Sequence, residues 1–259
     1  MSSSPSGASN RGNSPISRIV TSPDGTAIAY DVHEGASETG VLVIPGFWRE
    51  RRHRSMLALA ALLQEHGFLT AVTDPRGHGD SGGTYGFNRH EHEDTAAVAS
   101  DLIEQRGLRS IVLLGFSYGG SVAISTAARH ELPVRALILI SPVADFEMIR
   151  PRINPFTIHR HIALGQVMHR PRFAWRARRA PKLRALDDMP NVHAPVCFIH
   201  VRNDWLIGHR NSVALYEAAN EPKELHIMDI LGNYHADRIF SVAADTVEPI
   251  FLEFLRRYA

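Results

Sequence analysis

Short continuous apolar runs alternate along this chain with longer stretches whose apolar residues recur every three or four positions. Residues 41–44, 69–73, 111–114, 135–140, 196–201 and 224–229 are runs of strand length without polar alternation, as expected for strands buried on both faces. Residues 55–66, 93–105, 121–129 and 243–258 have helical spacing; Gly67 is a stop signal for the first, and Pro249 is placed to kink or restart the last. Residues 16–22 and 26–32 flank Pro23-Asp24-Gly25 and predict a β-hairpin. From residue 41 onward strands and helices alternate, which predicts an α/β protein with a mostly parallel central sheet and helices on both faces.

The rhythm fails over 146–191. That interval is too long for an ordinary crossover, and Pro151, Pro155, Pro171 and Pro181 divide it. It predicts an inserted helical cap over the carboxyl edge of the sheet, where open α/β folds bind ligands. The core is then 15–145 and 192–259, and residues 1–14, rich in Ser, Gly and Asn, predict a disordered tail.

Charge sharpens the picture of the cap. The chain of 259 residues has a net charge of +1, yet 149–184 carries ten Arg or Lys and no Asp or Glu, leaving 18 basic against 27 acidic residues elsewhere. This local basic block suggests recruitment of an anionic substrate, with Arg49, Arg51, Arg52 and Arg54 adding to the field; the plainer reading is a solvated face whose arginine stems cover apolar surface. No nucleic-acid recognition motif accompanies the charge, no apolar run is of membrane-spanning length, and no basic head with an apolar stretch marks a secretory signal, so the expected compartment is the cytoplasm. The single cysteine, Cys197, excludes an internal disulfide and sits in an apolar run, as a buried inert thiol would.

The candidate chemistry centres on Gly115-Phe116-Ser117-Tyr118-Gly119, between a predicted strand and a predicted helix. Gly-x-Ser-x-Gly in that setting is a nucleophile elbow: the turn strains the serine backbone and lifts its hydroxyl above the helix N-terminus. The alternative is a Gly-Ser turn in an ordinary strand–helix connection. A serine nucleophile needs a base and the base an orienter, and in this class they follow in the order acid, then histidine. Asp204, three residues past the strand at 196–201, and His235, in the loop after 224–229, fit. Asp145 is the backup acid, and His78 competes as base. A loop-capping aspartate and a surface histidine are the plain alternatives for Asp204 and His235.

From about residue 16 to the end the chain resembles the α/β-hydrolase superfamily, closest to its capped esterase, thioesterase and lysophospholipase-like serine hydrolases. Besides the elbow, Asp74-Pro75-Arg76-Gly77-His78-Gly79-Asp80-Ser81 resembles the family's Asp-x-Arg-Gly-His-Gly-x-Ser segment. His200-Val201-Arg202-Asn203-Asp204 resembles its His-Gly-x-x-Asp acid loop, and Pro45-Gly46-Phe47 its His-Gly-x oxyanion segment. Pro45 replaces a non-catalytic histidine, and Val201 replaces a glycine.

The resemblance implies an α/β-hydrolase fold and a serine hydrolase of carboxylic esters or thioesters, working through an acyl-enzyme with Ser117, Asp204 and His235. Backbone N–H groups of Phe47 and Tyr118 would form the oxyanion hole, and Trp48 and Tyr234 would line the substrate pocket, unless these aromatics are ordinary core. No cofactor and no metal is expected; the cluster His90, Glu91, His92, Glu93 reads as solvated surface. Acyl transfer on the same fold, or a catalytically silent binding protein, are the alternatives.

Overall fold

The computed structural model describes residues 14–149, 172 and 182–259. Eight strands form one sheet: β1 (Ile16–Thr21), β2 (Ala27–His33), β3 (Thr39–Ile44), β4 (Thr70–Thr73), β5 (Ser110–Phe116), β6 (Val134–Ile140), β7 (Val196–Val201) and β8 (Lys223–Met228), in the order β1-β2-β4-β3-β5-β6-β7-β8. β1 and β2 form the expected hairpin and β2 pairs antiparallel with β4. Every other pair is parallel. The helices are α1 (Arg54–Glu65), α2 (Glu91–Arg106), α3 (Tyr118–Arg129), α4 (Ala185–Asp188), α5 (Arg210–Ala218), α6 (Ile239–Val242) and α7 (Ala244–Tyr258).

The period of two along each strand sends alternate side chains into two apolar layers. Val41, Val43, Val112 and Leu114 meet Met56 and Leu63 of α1 and Phe251 and Leu255 of α7. Leu42, Ile44 and Leu113 meet Val98 and Leu102 of α2 and Val122 of α3 on the opposite face. Burial on both faces is why the strands read as continuous apolar runs. Parallel strands then deliver the loops after β3, β5, β7 and β8 to one edge.

Three expectations change. The last helix runs through Pro249; the chain breaks at Ala243, whose backbone leaves helical geometry between α6 and α7. Helix α5 has no counterpart in the apolar pattern, because two of its three buried residues, Asn211 and Ser212, are polar. The 90–93 cluster is not all solvated: Glu91 and His92 are buried. The Glu91 carboxylate accepts the Gly86 N–H at 2.5 Å, and Nδ1 of His92 lies 2.9 Å from Nε2 of His130. The tail expected over 1–14 and the cap expected over 146–191 fall mostly outside the described residues.

Candidate active site

Ser117 joins β5 to α3 with φ 52° and ψ −117°, a conformation that strains any residue other than glycine. The flanking glycines make the turn sterically possible. A Cβ on Gly115 would sit 2.5 Å from the Gly119 carbonyl oxygen, and one on Gly119 would collide with the carbonyl of Ile44. The Ser117 N–H donates to the Ile140 carbonyl at 2.8 Å, which anchors the turn to β6. Tyr118 is the first residue of α3, so its N–H has no partner within the helix and points with the positive end of the helix dipole.

β7 and β8 supply the other two groups. The Ser117 hydroxyl lies 2.8 Å from Nε2 of His235, and Nδ1 of His235 lies 2.7 Å from Oδ2 of Asp204. The Asp204 side chain is fully buried, and its Oδ1 accepts the N–H groups of Leu206 and Ile207, each at 2.9 Å. Burial alone would raise the Asp204 carboxyl; His235 and His200 outweigh it and hold the group well below the usual carboxylate range. An ionised carboxylate can only accept, so Nδ1 of His235 carries the proton and Nε2 presents a lone pair to Ser117 O–H. His200, buried with Nε2 2.9 Å from the Ile207 carbonyl and Nδ1 2.7 Å from Ser212 Oγ, supports the same loop. Val201 ends β7 inside the apolar layer, and the turn after it still delivers Asp204.

A cavity of about 340 Å³ opens over these groups. Phe47, Trp48, Tyr85, Phe87, Tyr118 and Phe146 form much of its wall, and Trp205 approaches the His235 ring edge-on at 6.4 Å. The segment Pro45-Gly46-Phe47 lies against the elbow: a Cβ on Gly46 would be 3.3 Å from Ser117 Cβ. Trp48 stands in this lining. Tyr234 is not in that lining; it packs on the apolar layer formed with α1 and α7, because the backbone at His235 is extended and sends adjacent side chains to opposite sides. Tyr85, Phe87, Phe146 and Trp205 went unassigned in the sequence. The first three form an aromatic row with Tyr118, and Tyr85 and Tyr118 stay protonated because burial, then the Glu91 charge, raises both phenols.

The remaining candidates are engaged elsewhere. Asp145 caps a turn through the Glu147 N–H and pairs with Arg184 at 2.7 Å. Nδ1 of His78 lies 3.0 Å from the Arg76 carbonyl, and its Nε2 accepts the Trp48 N–H at 3.4 Å. Arg51 is buried against Asp31, Asp74 and Asp80, Arg52 faces Asp31 and Asp80, and Arg49 pairs with Asp237 at 3.0 Å. These three arginines are therefore compensated locally and do not form the free basic field that their clustering suggested.

The sequence profile described as the alpha/beta hydrolase family matches residues 41–248, and the chain belongs to that family. Over 224 residues, 83% of this chain, it is 28% identical to protein Rv2307c of Mycobacterium tuberculosis, of whose length it spans 71%. An 85-residue stretch, 33% of this chain, is 32% identical to a protein of Mycobacterium phage D29, and the match covers 30% of that protein. Among solved structures, the Pyrococcus furiosus esterase Pf2001 superposes with a TM-score of 0.75 over 94% of this chain and 92% of the esterase, at 19% identity, a likeness of fold. No helix among the described residues is long and apolar enough to cross a membrane.

Proposed function

We propose that the chain is a serine hydrolase that cleaves carboxylic esters or thioesters through an acyl-enzyme. The observation that carries this reading is the continuous relay from Ser117 Oγ through His235 to Asp204, at 2.8 and 2.7 Å. Nε2 of His235 takes the hydroxyl proton as Oγ bonds to the acyl carbon. The Asp204 carboxylate stabilises the imidazolium without taking its proton. The carbonyl oxygen, now negative, is held by the N–H groups of Tyr118 and Phe47, each donor worth roughly 3–4 kcal/mol in comparable chemistry.

The carbon–oxygen or carbon–sulfur bond then breaks, and the leaving atom takes the proton from Nε2. Water adds to the acyl-enzyme by the reverse sequence, releasing a carboxylic acid and restoring Ser117. The aromatic cavity suits a small apolar acyl group. The likeness to an esterase supports the reading at the level of fold.

Initial rates on 4-nitrophenyl esters of graded chain length, beside acyl-CoA thioesters, test it. The expected result is hydrolysis by the wild type that is lost in Ser117→Ala, with far-UV circular dichroism unchanged. Equal turnover by the alanine variant would overturn the assignment.

A further inference from the structure

A second cavity of about 450 Å³ lies beside the first, where α1 meets the 237–248 segment. Arg49, Asp237 and Arg238 line both chambers, which therefore adjoin. Leu59, Leu62 and Phe240 give the second chamber an apolar floor, while Arg54 and Glu248 add charge to its wall.

The charges on that wall do not cancel. Asp237 is already engaged, accepting from Arg49 Nε at 3.0 Å and from the Ser55 hydroxyl at 2.6 Å. His53 is neutral at pH 7, because burial, then the Arg49 charge, lowers its pKa. Arg54 and Arg238 form no ion pair among the described residues, and the remaining residues, 1–13, 150–171 and 173–181, contain no Asp or Glu. Arg54 is also the first residue of α1, where the helix dipole disfavours a cation and offers no compensation. Glu248 alone opposes two arginines.

Chemistry fixes which part of a substrate faces this chamber. If His235 returns its proton to the leaving atom, the leaving group lies on the imidazole side, and Asp237 and Arg238 stand two and three residues after His235 in the chain. We propose that the second chamber binds an anionic group, a carboxylate or phosphate, carried on the leaving alcohol or thiol of the substrate, with Arg54 and Arg238 as its donors. The inference rests on the Ser117–His235–Asp204 reading and adds to it a substrate class: apolar acyl group, anionic leaving group.

The test compares four butyryl or glutaryl esters with wild type, Arg54→Glu and Arg54→Lys. They are methyl 4-butyryloxybenzoate, 4-butyryloxybenzoate, 4-butyryloxyphenyl phosphate and mono-(4-nitrophenyl) glutarate, whose charge lies on the acyl side. Relative to the methyl ester, kcat/KM for the benzoate and the phosphate should fall about tenfold in Arg54→Glu, through KM, with partial recovery in Arg54→Lys. The larger fall of the two tells carboxylate from phosphate. The glutarate monoester should show no such excess. In the wild type, kcat/KM for the anionic leaving groups should also decline with rising salt.

An unchanged ratio, an equal fall for the glutarate monoester, or no salt dependence would overturn the inference while hydrolysis of the methyl ester left the triad standing. If none of the esters is turned over, the triad reading fails instead. Calorimetry with 4-hydroxybenzoate then decides the chamber: binding that Arg54→Glu weakens keeps the site, and absence of binding to wild type removes it.

Discussion

Two histidines, His78 after β4 and His235 after β8, stand in loops at the same edge of the sheet, and their surroundings differ in kind. His78 packs edge-on against the Phe47 and Tyr85 rings, and its nitrogens bond to backbone: the Arg76 carbonyl on one and the Trp48 N–H on the other. Burial pushes its pKa down to about 4, so it is a neutral brace that fixes the segment carrying Phe47. His235 is tied to a buried carboxylate at one nitrogen and faces a strained hydroxyl at the other. The difference is in where the proton can go. A ring held between a carbonyl and an amide has no exchangeable partner, whereas a ring between a carboxylate and a hydroxyl can take a proton and have the resulting charge stabilised.

Removing each ring should separate the two roles. His235→Ala is expected to lower kcat/KM on 4-nitrophenyl butyrate by roughly 10⁴-fold or more. The orienting carboxylate comes next: Asp204→Asn should cost roughly 10³- to 10⁴-fold, because the amide can favour the wrong imidazole tautomer. Both are read from initial rates on folded protein. His78→Asn should cost activity about tenfold or less. Its larger consequence is a loss of about 1–3 kcal/mol in urea unfolding at pH 7, from the orphaned Trp48 N–H and the void left by the ring.

Acid sharpens the comparison further. Because the folded pKa of His78, about 4, lies below its ordinary value of 6.5, the unfolded chain binds more protons between those limits. The stability of the fold is therefore whole above the upper limit and declines as pH falls toward the lower one. His78 should account for about 2 kcal/mol of the loss between pH 7 and pH 5. His92, lowered to about 4 by burial and then by His130, adds to the same window. Asp204 acts elsewhere: its depressed carboxyl contributes stability that is present above about pH 4 and is lost below it as the group protonates. Urea midpoints at pH 7 and pH 5 should draw closer together in His78→Asn than in wild type.

What could be read from the chain follows the range of the interactions. The strand runs, the hairpin at Pro23-Asp24-Gly25 and the elbow at Ser117 are local, set by residues within a few positions of one another. Asp204 and His235 were legible because each lies just past a strand whose edge position the alternation predicts. The partners of Arg49 and Arg51 were not, since Asp237, Asp31 and Asp74 reach them only through the fold. Helix α5 was hidden by its buried Asn211 and Ser212, whose polar groups serve the Ala144 N–H and the His200 ring. The place of Tyr234 was not legible, because adjacency in sequence to His235 does not put two side chains on the same side of an extended backbone.

The most direct measurement is intact-mass analysis after treatment with a fluorophosphonate, which reports whether one hydroxyl in the folded chain is nucleophilic. The arrangement around Ser117 predicts a single adduct on wild type, mapped to the peptide containing Ser117, kept in His78→Asn and absent in Ser117→Ala and His235→Ala. A wild-type protein that takes no label, or an adduct that persists in Ser117→Ala, would contradict it.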